Sequence, residues 1–503
     1  MSKRFQFPHP FFSEKPAWKW FILINVLIGA TMSALDVSIV NIAMPTMKTD
    51  FNVSMSVIEW VAMAYMLTLT IFLPLFGRLA DMYGRSKLYN TGFVVFTIGS
   101  LFCGMAPSAG FIIGARVLQA VGAGLLQANS VAIITAAFPS SERGKAIGIQ
   151  GAVQAVAMSV GPFVGGELIH AINWRYIFYV NLPIGVLGTL AGLLILPKDK
   201  PKEHKETVDY LGTAFFSSGL LCMVMAFNKV GDLGWTSPTI LMYFAGAAIL
   251  LALFIITELM VKHPLIDLKM FKNVTFASGN FTGMLSYYVL FAIMFLMPFY
   301  LEKVVGYGVE LTGRLLTPIP LAMAIVAPWA GSVSDKRGPR LMTVSGMLLS
   351  AAACFLLTLL GQSSHLFALI GILVLLGIGM GLFTPPNNSA IMGAAPKDKL
   401  SSAGGILNMM RSLGLIFGVD LSGLIFTRLQ DKSLAAHGVT DFQHVYENSA
   451  VPAAVKNNAF MSGFLVVLIT LVGLELFSAL LSALRNEKID KEAAEAAKEF
   501  EGA

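Results

Sequence analysis

The stretch GRLADMYG at residues 77–84 returns as GSVSDKRG at 331–338, so that Gly77, Asp81 and Gly84 match Gly331, Asp335 and Gly338 at an offset of 254. A second set matches at an offset of 257: Gly148, Gly161 and Gly166 against Gly405, Gly418 and Gly423. One pattern written twice, each time inside strongly apolar sequence, reads as two parallel structural repeats. Two related helix bundles facing each other across a site near the bilayer midplane is the architecture of an alternating-access transporter.

The composition around the repeats agrees. Of 503 residues, 56% are hydrophobic and only 13% are charged, against about 25% charged in soluble domains. Mean hydropathy is +0.72. Fourteen apolar runs can be marked, most of them long enough to cross a hydrocarbon core of roughly 30 Å as helices. They include 20–42, 88–106, 402–426 and 460–484. This excludes a soluble enzyme and a nucleic-acid-binding protein. A β-barrel is excluded as well, because its strands would read as short alternating segments. Cys103, Cys222 and Cys354 lie far apart within or beside apolar runs, without metal or redox spacing. The first apolar run is too long for a cleaved signal and reads as an uncleaved first span.

Lys and Arg set the orientation. With the N-terminus placed inside, 25 of the 35 basic residues fall on the inner side and eight on the outer, leaving Arg116 and Arg411 within spans. That is a positive-inside pattern, and it accounts for the net charge of +6 without a nucleic-acid partner. An even span count puts the C-terminus inside too. The expected organisation is a cytoplasmic N-terminus at 1–19, a six-helix bundle at 20–196 and two inserted helices at 210–260. A second six-helix bundle follows at 274–484, then a cytoplasmic tail at 485–503.

Further motifs carry a resemblance. LDVSIVNIAMP at 35–45 puts Asp36 in the outer half of the first span, and RVLQAVGAG at 116–124 puts Arg116 in the fourth. GPFVGG at 161–166 places a glycine-proline break in the fifth, and WRYIFYVNLPIG at 174–185 opens the sixth. Together with GRLADMYGRSK at 77–87, these resemble the fourteen-span, EmrB/QacA-like drug:proton antiporters of the major facilitator superfamily, over about residues 20–485. The resemblance implies an all-α membrane protein with the major facilitator fold, fourteen transmembrane helices and a proton-coupled multidrug efflux activity. It implies a gating loop at Gly77, Asp81, Gly84 and Arg85. It also implies a buried arginine linked to proton coupling at Arg116, an antiporter motif at Gly161, Pro162, Gly165 and Gly166, and a protonation site at Asp36. In the second loop copy Pro339 stands where the first has Arg85, so Asp335 is left with Arg340 and the second gate is expected to be incomplete.

Isolated charges in apolar runs are costly and tend to be paired or functional. Asp36 and Arg116 each lie six residues from the outer end of their runs, about 9 Å deep at about 1.5 Å per residue, so contact is expected if the two helices are neighbours. Arg411 and Glu475 lie nine residues from the inner ends of consecutive runs, about 14 Å deep, and form a second candidate pair. Asp420 reads either as a further coupling or substrate carboxylate or as a residue of the wetted outer rim. Tyr65, Gln119, Gln150, Gln154, Tyr287, Asn387 and Arg411 are the expected cavity residues, because amides facing lipid are costly and aromatic linings suit varied apolar cargo.

There is no P-loop, and the GxGxxG-like glycines at 377–381 lie within a span, so neither an ATP-driven pump nor a cofactor is expected. The expected partners are a small-molecule substrate, protons and the lipid bilayer. The protein is expected as a multi-pass monomer of the plasma membrane with both termini cytoplasmic. Its cargo is expected to be amphipathic or cationic compounds. The alternative is dedicated export of an endogenous metabolite, siderophore or lipid. A non-transporting sensor would leave the gating-loop charges and Asp36 idle.

Overall fold

The computed structural model describes residues 17–53, 55–197, 209–234, 236–261, 264–361, 366–439 and 451–485. The N-terminal segment 1–16, the basic connection 198–208, His444 and the tail beyond Arg485 lie outside the described residues. All regular structure in the described residues is helical. Six helices come first: α1 (Trp18–Phe51), α2 (Met55–Tyr83), α3 (Arg85–Gly104), α4 (Ala109–Ala137), α5 (Ser140–Ala171) and α6 (Asn181–Ile195). Then come α7 (Tyr210–Leu233) and α8 (Pro238–Met260). Six more follow: α9 (Val274–Phe299), α10 (Pro318–Arg337), α11 (Pro339–Thr358), α12 (Leu366–Ala394), α13 (Leu400–Ala436) and α14 (Ala453–Ala483). Thirteen helical stretches are long and apolar enough to cross a membrane. The run read at 88–106 forms α3, which falls outside that set because it opens on the polar sequence RSKLYNTG.

Within the first six helices, α1 packs on α4, α5 and α6, while α4 packs on α2 and α3. In the last six, α13 packs on α9 and α14, while α12 packs on α10 and α11. The two groups meet through α5 against α10 and α12, and through α13 against α2 and α4. Helices α7 and α8 pair with each other, and α7 touches α2 and α13. Only Ile240, Ala247, Phe254 and Glu258 of α8 are buried. An apolar helix with so little of its surface covered by protein suits contact with lipid.

The repeated glycines form the contact between the groups. A Cβ on Gly77 would strike the Ser401 carbonyl, and one on Gly331 the Gly144 carbonyl. A Cβ on Gly405 would strike the Leu73 carbonyl, and one on Gly148 the Ala327 carbonyl. The residues that match by sequence therefore occupy matching places in two symmetric crossings, α2 with α13 and α10 with α5. The turns after α2 and α10 both use glycine with φ in the left-handed range, Gly84 at 108° and Gly338 at 86°, where a side chain would be strained.

Two helices differ from expectation. Helix α5 runs unbroken from Ser140 to Ala171 across GPFVGG, because Gly161 and Gly165 serve close approach to Ser38 and Ile39 of α1. Helix α13 continues to Ala436, ten residues beyond the apolar run, so Asp420 sits well inside a helix and the connection before α14 is shorter.

Valine at Gly331 would press a branched side chain into a backbone carbonyl that cannot turn aside. Electron-electron resonance distances between spin labels on the Lys/Arg-rich ends of α3 and α11 should lengthen in Gly331→Val. They should not change in Gly371→Val, where a Cβ meets nothing within 4 Å. Identical distance distributions in both variants would contradict the close-packed crossing.

Candidate functional site

The end of the molecule that holds the two repeated loops is rich in Lys and Arg. There a carboxylate from each group of helices reaches across to the other. Asp81, at the end of α2, accepts hydrogen bonds from the Ser401 amide (3.0 Å), the Ser402 amide (2.7 Å) and the Ser402 hydroxyl (2.7 Å). These amides open α13, where backbone N–H groups have no partner inside the helix and the helix dipole favours an anion. Arg85 donates to Asp81 from Nη2 (3.2 Å) and to the Lys397 carbonyl (2.9 Å), fixing the turn before α13. Asp335, the equivalent residue of α10, accepts from the amides of Gly144 (2.8 Å) and Lys145 (3.0 Å) near the start of α5. Asp335 thus makes a contact across the two groups that parallels that of Asp81, without an arginine at position 339. Arg340 does not join it, and the guanidinium acting on Asp335 is that of Arg143. Backbone donors hold the carboxylate, so Pro339 in place of an arginine costs little.

Two ion pairs flank the caps. Lys19 of α1 meets Glu142 of α5 at 2.6 Å, and Lys399 meets Asp267, in the connection from α8 to α9, at 2.6 Å. Burial acts to raise the Asp267 pKa. The hydrogen bond from Lys399 and that from the Lys269 amide outweigh it and hold the carboxyl below its ordinary range. A lowered carboxylate pKa means that this contact contributes above the unfolded value and is lost only as pH falls through the folded one.

Inside the first six helices lies a buried polar cluster. Arg116 of α4 donates from Nη1 to Asp36 Oδ2 of α1 and to Gln119 Oε1 (2.7 Å), and from Nε to the Val61 carbonyl of α2 (3.0 Å). Gln119 donates to Asp36 Oδ1 and to the Ser100 hydroxyl of α3, each at 2.8 Å, and Asn181 of α6 donates to Asp36 Oδ1 at 3.4 Å. The Tyr65 ring lies 4.1 Å beneath the Arg116 guanidinium. Asp36 and Arg116 are 0% and 1% exposed. The expected contact is therefore made, and five helices join in it. At the opposite end of α1, Asp50 accepts from the Trp174 indole (2.9 Å) and Arg175 (3.0 Å), which anchors the motif that precedes α6.

Between the two groups of helices is a closed space of about 10 Å³, bordered by Gln150 and Gln154 of α5, Met323 of α10, Thr384 and Asn388 of α12, and Arg411 of α13. The Arg411 guanidinium lies 5.2 Å from the Tyr287 ring, which stacks on Phe291. Gln150 also donates to Ser130 of α4 (3.0 Å). Arg411 is ten residues along α13 from Ser401, about 15 Å from the Asp81 cap.

Three expected cavity residues are placed elsewhere. Tyr65 and Gln119 belong to the buried Asp36 cluster. Asn387 is turned into the second group, donating to the Gly279 carbonyl (3.0 Å) and accepting from Arg485 (2.7 Å). The pair Arg411–Glu475 does not form: Arg411 points to the cavity and Asn408, while Glu475 is buried on α14 beside Cys354 of α11. Equal depth did not bring equal azimuth. Asp420 is half-buried, nine residues beyond Arg411 on α13. The sequence reading missed Asn181, Ser100 and the amides of Ser401, Ser402, Gly144 and Lys145. Asn181 was legible as a lone amide in an apolar run; backbone amides carry no residue signature.

Comparison with known proteins agrees with this geometry. The model of the Major Facilitator Superfamily matches residues 26–419. The chain belongs to the Major Facilitator Superfamily. It is 38% identical over 410 residues to the riboflavin transporter RibZ of Clostridioides difficile, covering 82% of this chain and 89% of the relative. It is 32% identical over 416 residues to the multidrug resistance protein Stp of Mycobacterium tuberculosis, covering 82% and 77%. The crystal structure of the human organic anion transporter MFSD10 shares the fold with a TM-score of 0.64 at 14% identity, covering 93% of this chain and all of that one. This superfamily member is thus an all-helical, multi-pass membrane transporter.

Asp81→Asn puts an amide among donors and removes the anion from the start of α13. It should weaken the closed interface by about 1–3 kcal/mol, and a cysteine placed at buried Ala403 should be alkylated at least several-fold faster. Asp267→Asn, at a partly exposed pair worth about 0–1 kcal/mol, should leave that rate nearly unchanged. Equal labelling rates in the two variants would contradict the cap.

Proposed function

We propose that this transporter is a proton-driven exporter of amphipathic organic compounds, working by alternating access as a monomer in a bacterial plasma membrane. The Lys/Arg-rich end and both termini face the cytoplasm, and on this reading the chain groups with the fourteen-span drug:proton antiporters of the superfamily. The division is two six-helix bundles, α1–α6 and α9–α14, with α7 and α8 inserted. The observation that carries this reading is the pair of reciprocal contacts by which Asp81 and Asp335 close the two bundles at one end, with amides and one guanidinium facing the seam between the bundles.

Proton drive rests on Asp36. Its carboxylate is held by Arg116, Gln119 and Asn181. A proton on Asp36 removes the charge that Arg116 compensates, and the arrangement of five helices must adjust. Helix α1 passes that adjustment to α5 at Gly161 and Gly165. Helix α5 in turn carries both the cavity glutamines and the amides that hold Asp335. The same proton thus biases the two access states through one helix.

A second reading is favoured by the cavity itself. Its lining residues include Arg411 and no carboxylate, which suits a neutral or anionic planar aromatic compound better than a lipophilic cation. The similarity to a riboflavin transporter points the same way. On this reading the cargo is one dedicated aromatic metabolite.

Cells expressing the protein should retain less of a fluorescent amphiphile than control cells, and a protonophore should abolish the difference. Asp36→Asn, at equal expression, should abolish it as well. Extrusion that survives the protonophore would rule out proton drive. Extrusion of riboflavin-like compounds alone, across a panel that includes lipophilic cations, would establish the dedicated reading.

A further inference from the structure

One ionisable group deep in the second bundle takes no part in the gate, the cavity or the Asp36 cluster. Glu475 of α14 is 1% exposed, and neither carboxylate oxygen has a hydrogen-bond partner. Helix α14 packs on α9, α11 and α13. From α11 the titratable group facing Glu475 is the Cys354 thiol. From α9, Tyr288 engages its hydroxyl with Ser422 of α13. Of α13, Arg411 turns to Asn408. An ionised carboxylate in that setting would go uncompensated at a cost of several kcal/mol. A metal cation is no remedy, since it needs several oxygen ligands and no such cluster occurs among the described residues. The occupant that fits is a proton.

Glu475 also begins a polar line. Ser478 and Ser482 follow at spacings of three and four residues on one face of α14, and Arg485 lies three further on, just past the end of α14; they are 0%, 0% and 2% exposed. The Ser478 hydroxyl has no partner. The Ser482 hydroxyl meets the Met347 sulfur at 3.7 Å. Arg485, at the basic end, donates to Ser278 (3.1 Å), Thr282 (3.0 Å) and Asn387 (2.7 Å). From Glu475 to Arg485 this seam spans ten residues, about 15 Å along the helix. It runs inside the second bundle, apart from the cavity between bundles.

We propose that Glu475 is a proton-binding site of the second bundle. The cargo and direction of transport do not enter this assignment, and it stands or falls separately from the role of Asp36. The full-length protein, reconstituted in lipid, should show at neutral pH an infrared C=O stretching band of a protonated carboxylic acid. Glu475→Gln should remove the band, Glu475→Asp should shift it, and Asp36→Asn should leave it in place. Transfer to deuterated water should lower its frequency. A neutral-pH spectrum without a band that depends on Glu475, or a band that deuterated water never shifts, would overturn the site.

Discussion

A carboxylate from one bundle held by backbone amides of a helix in the other is the contact on which the arrangement of this transporter depends. It occurs twice, Asp81 on α13 and Asp335 on α5, each reaching from one bundle to the other. The glycines at the two crossings let the backbones come close enough for these short carboxylates to reach. Because the partners are backbone amides, the contact tolerates change around it. Arg85 reinforces the first cap, while the second keeps its geometry with Pro339 at the matching position. Such a contact is strong when made and leaves donors and acceptor free to hydrate when broken, which suits an interface that must open in each cycle.

The buried charges divide by how they are satisfied. Asp36 and Arg116 neutralise each other and draw in Gln119, Asn181 and Ser100. A cluster held by five helices cannot lose a charge without moving something. Helix α5 is the element best placed to carry that movement, since it touches α1 through Gly161 and Gly165 and touches the second bundle through Gly144 and Gly148. Arg411 is satisfied differently. It lies over Tyr287 and borders the closed space between the two groups.

Much of the fold was legible because the bilayer imposes long apolar helices and the repeat imposes their pairing. The Asp36–Arg116 contact was legible because two lone opposite charges lay at one depth. The same reasoning failed for Arg411 and Glu475, since depth fixes a level on a helix and says nothing of the face. Gln119 and Asn387 show a related limit. An amide in an apolar run must find a partner, but that partner lies inside a bundle as readily as in a cavity. The contact of Asp335 was hidden because its donors are amides of Gly144 and Lys145, and a backbone N–H looks alike in every residue but proline.

The reciprocal caps are tested most directly by measuring interbundle distances at both ends of the transporter in lipid, with spin labels, in wild type and in the Asp81→Asn/Asp335→Asn double variant. Alternating access under control of the caps predicts a short distance at the basic end in wild type. In the double variant that distance should lengthen while the distance at the opposite end shortens in the same molecules. A basic end that stays closed without both carboxylates would contradict the central role assigned to them.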